Sequence, residues 1–156
     1  MTEPFNRERD HLQGLHWHCF GCGEENRLGL RLNVTLSGDK TECDFTPIAE
    51  FQGAPGVTHS GVVAAILDEV MSQLIFAQLQ LAVTRKIEVT YRRPLRVGQT
   101  YHFTAEIAKQ NSRIIAARAE ARDADGNQVA RARGIYAPLD EERVAKFLDK
   151  ESPNQG

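Results

Sequence analysis

The stretch Gly53-Ala-Pro-Gly-Val-Thr-His-Ser-Gly61 runs directly into Val62-Val-Ala-Ala-Ile-Leu-Asp-Glu-Val-Met-Ser-Gln-Leu-Ile-Phe-Ala-Gln-Leu79, and together they decide the fold. A glycine-rich turn leads into a long apolar helix, with Ser60 or Thr58 as the predicted N-cap. Unpaired N–H groups at the positive end of a helix suit an oxyanion or a polarised carbonyl.

Two acids, Asp68 and Glu69, lie near the middle of this apolar helix. Helical spacing places Asp68 on one face with small residues, namely Gly61, Ala64, Ala65 and Ser72. Glu69 is turned away from this face by about 100°, and the bulky residues of the helix suit burial under a sheet. Burying an unpaired carboxylate is costly, so Asp68 is the candidate for chemistry. The alternative is that its carboxylate only bonds a neighbouring backbone group.

Length and composition exclude several classes of protein. The 156 residues fit one domain, and 19 Lys plus Arg against 21 Asp plus Glu give a net charge of −2, without the basic excess of a nucleic-acid binder. Polar residues interrupt the apolar helix, so we predict no membrane span. The N-terminus lacks an apolar core typical of a signal peptide. Three cysteines, an odd number, favour a reducing cytoplasm.

Alternating apolar and polar residues predict strands on both sides of the helix. A half-buried strand is predicted over residues 28–36, a turn over 37–40 and a second strand over 41–45. After the helix, further strands are predicted over 87–91, 101–107, 114–121 and 129–137, with a hairpin turn at 123–127 and a short helix over 141–148. This order predicts an α+β fold in which an antiparallel sheet wraps around one long helix. Such a sheet has edges that a second copy of the chain can cover.

The helix also separates two groups of candidate site residues. Ser60 and Asp68 are eight residues apart, or about 12 Å along a helix axis. The donor turn and the acid are therefore too far apart to serve one small reacting group within one chain. Two helices packed antiparallel would bring the turn of one copy to the acid of the other, so we predict an active site shared across a homodimer.

Several motifs resemble those of hotdog-fold acyl-CoA thioesterases of the PaaI-like and 4-hydroxybenzoyl-CoA thioesterase superfamily. They are Cys19-Phe-Gly-Cys-Gly-Glu-Glu-Asn26 with Gly29-Leu30, Phe51-Gln-Gly-Ala-Pro-Gly-Val-Thr-His-Ser-Gly61, Asp68-Glu-Val-Met71 and Val89-Thr-Tyr-Arg-Arg-Pro94. The resemblance covers residues 19–138, which implies an N-terminal arm over 1–18, a hotdog domain over 19–138 and a C-terminal helix and tail over 139–156. The family usually has His-Gly-Gly where this chain has His59-Ser60-Gly61.

The resemblance implies four catalytic residues. The backbone N–H of Ser60 or Gly61 would bind the thioester oxygen. Asp68 of the other subunit would act as general base on water or as nucleophile. Thr84 matches a family hydroxyl that orients the attacking water.

The resemblance also implies substrate-binding residues. Gln52 and Gly53 lie where relatives have a polar side chain near the thioester. Arg92 and Arg93 lie where basic residues would meet the phosphates of coenzyme A, although an ordinary solvated pair is the alternative. His59 either contacts substrate or fixes the turn by a hydrogen bond, and we favour the second.

The segment His16-Trp-His-Cys-Phe-Gly-Cys22 offers up to four zinc ligands, namely His16, His18, Cys19 and Cys22. Structural zinc normally joins segments that are distant in sequence. No second ligand pair is evident, and Cys43 stands alone. The sequence therefore favours a turn packed under the sheet, and we predict no metal.

The sequence thus predicts an enzyme that hydrolyses an acyl-CoA thioester without a cofactor, as a homodimer or a dimer of dimers. Two alternatives remain. One is a non-catalytic acyl-CoA-binding hotdog protein, which the Ser60 substitution would permit. The other is a hotdog hydratase, in which His59 would supply proton transfer.

Overall fold

The computed structural model of the protein describes residues 18–78 and 81–150, with side chains described up to residue 146. The first strands, β1 (Thr35–Ser37) and β2 (Lys40–Phe45), precede a 3₁₀ turn at Ala49–Phe51 and the helix α1 (Ser60–Ala77). Four longer strands and a second helix follow: β3 (Ala82–Tyr91), β4 (Tyr101–Gln110), β5 (Ile115–Arg122), β6 (Gln128–Pro138) and α2 (Glu141–Lys150).

The described residues form one six-stranded antiparallel sheet in the order β1-β2-β4-β5-β6-β3. Helix α1 packs against β2, β3, β4, β5 and β6. The predicted α+β architecture, with a sheet wrapped around one long helix, is therefore confirmed. Strand β3 lies at one edge, where it pairs with β6 on one side.

Helix α1 fills the core with its bulky face. Its innermost residues are at most 1% exposed: Val63, Ile66, Leu67, Val70, Met71 and Leu74. The helix is long and apolar enough to cross a membrane, with a mean hydropathy of 1.5, but its bulky face packs against the sheet. Small residues of the opposite face, such as Ala64 and Ala65, are half-buried. The division of the helix expected from its spacing is therefore observed.

The N-cap of α1 is His59, not Ser60 or Thr58 as the sequence suggested. The Nδ1 atom of His59 accepts a hydrogen bond of 2.9 Å from the N–H of Gly61. The backbone carbonyl of His59 accepts from the N–H groups of Val62 and Val63. An imidazole nitrogen thus takes the place of the short oxygen side chain that usually caps a helix, and this bond fixes the turn.

The predicted strand over residues 28–36 is largely wrong as secondary structure, although its buried positions are correct. Leu30, Leu32 and Val34 are at most 8% exposed, yet β1 begins only at Thr35. The N–H groups of Leu30 and Leu32 donate to the carbonyls of Phe20 and Gly21, not to a neighbouring strand. These two acceptors lie in the turn over residues 19–22, here called the cysteine turn. Arg31 also has a positive φ of 51°, which interrupts extended backbone.

The remaining predicted elements are close to those observed. The four strands after the helix and the C-terminal helix occur within a few residues of the predicted bounds, and the hairpin at 123–127 joins β5 to β6. The predicted N-terminal arm, apart from His18, and the end of the tail from 151 lie outside the described residues.

Burial predicts that two leucines contribute very differently to stability. Leu67 is 0% exposed in the core, whereas Leu28 is 81% exposed in the N-terminal loop. We expect Leu67→Ala to lower the free energy of unfolding by about 2–5 kcal/mol. The matched Leu28→Ala should change it by no more than about 0.5 kcal/mol. Urea unfolding measures both, and similar losses for the two variants would contradict the assignment of the core.

Candidate active site

Asp68 is held by two hydroxyl groups from the strands that flank the middle of α1. Its Oδ1 atom accepts a hydrogen bond of 2.8 Å from the hydroxyl of Tyr136 on β6. Thr84 on β3 donates from 3.2 Å to Oδ1 and from 3.4 Å to Oδ2. Asp68 makes no ion pair with any described residue. The carboxylate is therefore positioned by neutral donors, and the alternative in which it merely bonds a backbone group is not what the structure has.

Tyr136, which is 1% exposed, is not among the site residues predicted from the sequence. Its ring passes over Gly134, two residues earlier on the same face of β6. A Cβ atom at Gly134 would lie 2.5 Å from Cε2 of Tyr136 and 2.8 Å from its hydroxyl oxygen. Only glycine leaves room there for the ring, so Gly134 determines where the hydroxyl meets Asp68. The pair Gly134–Tyr136 within an alternating strand is the sequence signal for this contact.

Burial raises the pKa of Asp68 above its ordinary value of 3.8, and the nearby charge of Glu69 acts in the same direction. The hydrogen bonds from Tyr136 and Thr84 oppose this shift because they stabilise the ionised form. Burial and Asp68 itself raise the pKa of Tyr136. Tyr136 therefore stays protonated and serves as a donor to Asp68. An acid with a raised pKa is the type of group that accepts a proton during catalysis.

The beginning of α1 offers one backbone donor. The N–H of Gly61 is bonded to His59, whereas the N–H of Ser60 has no partner among the described residues. The carbonyl of Ser60 accepts a hydrogen bond of 2.7 Å from the hydroxyl of Tyr91. Ser60 is the first helical residue, a conformation that any L-amino acid adopts. Of the two predicted donors, Ser60 is therefore the one whose N–H is open to a ligand.

Arg92 and Arg93 line the same groove as Ser60. This groove, of about 290 Å³, lies between the start of α1 and the end of β3, and Thr58 and Tyr91 also line it. The guanidinium of Arg93 is 3.9 Å from the carboxylate of Asp123, in a largely exposed ion pair. Two cationic groups and an open backbone donor thus share one concave surface.

Gln52 and Gly53 are used within their own loop. The Oε1 atom of Gln52 accepts a hydrogen bond of 3.1 Å from the N–H of Gly56. The N–H of Gly53 donates to the carbonyl of Val57. Neither residue lines the groove beside Ser60. Their predicted role beside the thioester stays a prediction that this loop geometry does not favour.

The structure therefore divides the predicted site residues into two groups. Thr84 and Asp68 are in contact, and Arg92 and Arg93 share a groove with Ser60. Ser60 and Asp68 lie at the first and ninth positions of one helix, about 12 Å apart along its axis. One chain does not bring the open N–H and the carboxylate together.

Comparisons with known proteins agree on the class of protein that this fold and site define. Residues 55–130 match the Thioesterase superfamily. Acyl-coenzyme A thioesterase THEM5 of Mus musculus is 26% identical over 154 residues, which cover 86% of this chain and 61% of that protein.

Solved structures extend the likeness to most of the chain. A thioesterase superfamily protein superposes with a TM-score of 0.72 at 26% identity, covering 77% of this chain and 60% of that chain. The PaaI protein of the Escherichia coli phenylacetic acid degradation operon superposes with a TM-score of 0.67 at 19% identity, covering 71% and 81%. The chain has the hotdog fold, and its match to the Thioesterase superfamily lies over residues 55–130. The predicted resemblance is thereby confirmed. The chain spans about three fifths of the length of the mouse relative.

The raised pKa of Asp68 predicts a cost in stability at neutral pH. A carboxyl whose folded-state pKa lies above its unfolded value contributes most to stability below the unfolded value, and that contribution is lost as pH rises through the folded value. We therefore expect Asp68→Asn to be more stable than the wild type at pH 7. Urea unfolding at pH 7 and at pH 4 checks this. The difference should shrink at pH 4, and an Asn variant that is less stable at pH 7 would contradict the argument.

Proposed function

We propose that this protein hydrolyses acyl-CoA thioesters to a free acid and coenzyme A. One observation carries the proposal, namely the half-buried carboxylate of Asp68. Two neutral hydroxyl groups donate hydrogen bonds to it, and no cationic side chain among the described residues pairs with it. A protein that only binds its ligand has no need of such a group. The name of the mouse relative, an acyl-coenzyme A thioesterase, supports the same substrate class.

We further propose that the active site forms between two copies of the chain. Strand β3 is ten residues long, pairs with β6 on one side and exposes most of its side chains. An open edge of this length is a template for pairing with another strand. Pairing of two β3 edges across a two-fold axis would run the two α1 helices antiparallel. The start of one helix then approaches Asp68 of the other, which removes the separation of about 12 Å within one chain.

In the proposed reaction, the thioester carbonyl oxygen accepts a hydrogen bond from the N–H of Ser60 at the positive end of α1. Asp68 of the partner subunit removes a proton from water while the water oxygen bonds to the carbonyl carbon. The C–S bond then breaks, and the sulfur of coenzyme A takes up the proton. Attack by the Asp68 carboxylate itself, followed by hydrolysis of the anhydride, gives the same products.

The groove beside Ser60 suits the nucleotide end of the substrate. Arg92 and Arg93 lie where phosphates would pass if the thioester sat at the start of α1. Guanidinium groups bind phosphate through two parallel hydrogen bonds. This arrangement favours coenzyme A thioesters over small thioesters that lack phosphate.

The hydratase alternative loses support because the Nδ1 atom of His59 already accepts a hydrogen bond from the N–H of Gly61 at the start of the helix. The binding protein remains the competing function. It differs from the thioesterase in needing no contribution from Asp68, so one substitution separates the two.

The first test is thiol release from short, long and aromatic acyl-CoAs by the wild type and by Asp68→Asn. We expect turnover of at least one substrate by the wild type and a loss of about 10²–10⁴-fold in the variant, because a positioned base is removed. Asp39→Asn, in the exposed turn between β1 and β2, is the matched control and should retain full activity. Absence of turnover on every substrate, or activity indifferent to Asp68, would move the assignment to ligand binding.

The second test removes the backbone donor without disturbing the helix. Ser60 is the first residue of α1, where proline is well tolerated, and the extended ψ of 133° at His59 is compatible with a following proline. We expect Ser60→Pro to lower kcat by about 10²–10³-fold while the fold persists. Ser60→Ala keeps the N–H and should change kcat little.

Mixing the two inactive variants tests whether the site is shared. Co-refolding equal amounts of Ser60→Pro and Asp68→Asn would give hybrid dimers with one intact and one doubly damaged site. Random pairing should restore about a quarter of the wild-type activity. No recovery in a mixture shown to contain hybrids would mean that each site lies within one chain.

A further inference from the structure

A second cluster of reactive side chains lies between the N-terminal loop and α1. The thiols of Cys19 and Cys22 and a carboxylate oxygen of Glu69 lie within 4.8 Å of one another. The Sγ atom of Cys19 is 3.8 Å from Oε2 of Glu69, although the two residues are 50 positions apart in sequence. The candidate ligand from a distant segment of the chain is therefore Glu69.

We propose that Cys19, Cys22 and Glu69 bind a zinc ion, with a fourth coordination position open to solvent. Tetrahedral zinc with Zn–S of about 2.3 Å and Zn–O of about 2.1 Å spaces its ligand atoms about 3.6–3.8 Å apart. The Cys19–Glu69 distance of 3.8 Å is within about 0.2 Å of the sulfur–oxygen spacing of such a site. Cys19 is half-buried, so water can reach the open position.

The buried amide of Gln73 orients two of these ligands. Its side chain is 7% exposed, and Nε2 donates over 2.8 Å to Oε1 of Glu69 and over 3.1 Å to Sγ of Cys22. One oxygen of Glu69 is therefore fixed by the amide, and the other is directed at the thiol of Cys19. Outer hydrogen bonds of this kind orient the ligands of metal sites.

Charge and space around Glu69 also favour a cation. Glu69 is half-buried and makes no ion pair with the described residues, although two thiols face it. A divalent cation would neutralise this group of donors. A Cβ atom at Gly21, between the two cysteines, would lie 2.4 Å from Oε2 of Glu69. Glycine at this position is thus what allows the cysteine turn to close on the carboxylate.

The site would join the N-terminal turn to the helix that carries Asp68. In the same turn, the backbone carbonyls of Phe20 and Gly21 accept hydrogen bonds from the N–H groups of Leu30 and Leu32. Zinc would therefore stabilise the loop over residues 18–34, which has little regular secondary structure, because the free energy of metal binding adds to that of folding.

The test measures the metal directly in the full chain, purified under reducing conditions without chelator. We expect about one zinc per chain by elemental analysis, and cobalt substitution should give thiolate-to-metal charge-transfer absorption. Cys22→Ser and Glu69→Gln should each abolish stoichiometric binding. Gln73→Met, which keeps the volume but loses both hydrogen bonds, should weaken zinc affinity by about 10–100-fold in competition with a chromophoric chelator.

Cys43→Ala is the matched control, since Cys43 is a buried thiol of β2 outside the cluster, and it should leave the metal content unchanged. Circular dichroism of each variant separates loss of metal from loss of fold. Zinc far below one equivalent in reduced protein supplied with zinc would overturn the proposal. So would a cobalt spectrum indifferent to Cys22→Ser, or a Cys19–Cys22 disulfide in the freshly purified protein, which would indicate a redox pair.

Discussion

The packing of α1 against the sheet is the constraint on which the rest of the structure depends. One helix provides the largest apolar contribution to the core and also carries both acids. Because the sheet covers the bulky face, the remaining face of the helix is left for small residues and polar chemistry. Neither acid belongs to the buried apolar face, and each requires partners of its own to offset the cost of desolvation. The positions of the Asp68 site and of the Cys19–Cys22–Glu69 cluster around α1 follow from this division.

Asp68 offsets the cost of desolvation with two neutral hydrogen-bond donors. Asp68 accepts from the hydroxyl groups of Tyr136 and Thr84, which stabilise the carboxylate without supplying a positive charge. Burial still prevails, and the pKa of Asp68 remains above its ordinary value. A lysine or arginine at the same place would lower the pKa and make the carboxylate a weaker base. Neutral donors therefore give a carboxylate that is fixed in place and still able to take a proton.

The sequence predicts the fold well because its strongest signals are local periodicities. The apolar helix and the alternating strands from β2 onward agree with the structure. The main error arises where alternation is interpreted as strand pairing. The alternation of Leu30, Leu32 and Val34 reports burial correctly, but the backbone there pairs with the cysteine turn. Burial and strand pairing are separate properties, and a period of two reports the first alone.

The same distinction explains which site residues the sequence could supply. Asp68 and Ser60 stand out because a helix wheel and a helix start are local features. Tyr136 reaches Asp68 across 68 residues, and its place depends on the absence of a side chain at Gly134. The imidazole cap at His59 depends on the path of the loop, not on residue type alone.

Glu69 shows how one rotation along a helix separates two groups of side-chain contacts. A turn of about 100° from Asp68 is enough to place Glu69 against Gly21 and the cysteine turn instead of the strands. Adjacent carboxylates on a solvent-exposed helix would repel each other with little consequence, but here the charge of Glu69 contributes to the raised pKa of Asp68. A group that neutralises Glu69 would therefore lessen the rise in the pKa of Asp68, and this effect would act through space. The charge of Glu69, against which the cysteine turn packs, therefore acts on the proposed catalytic acid without a change in the shape of the helix.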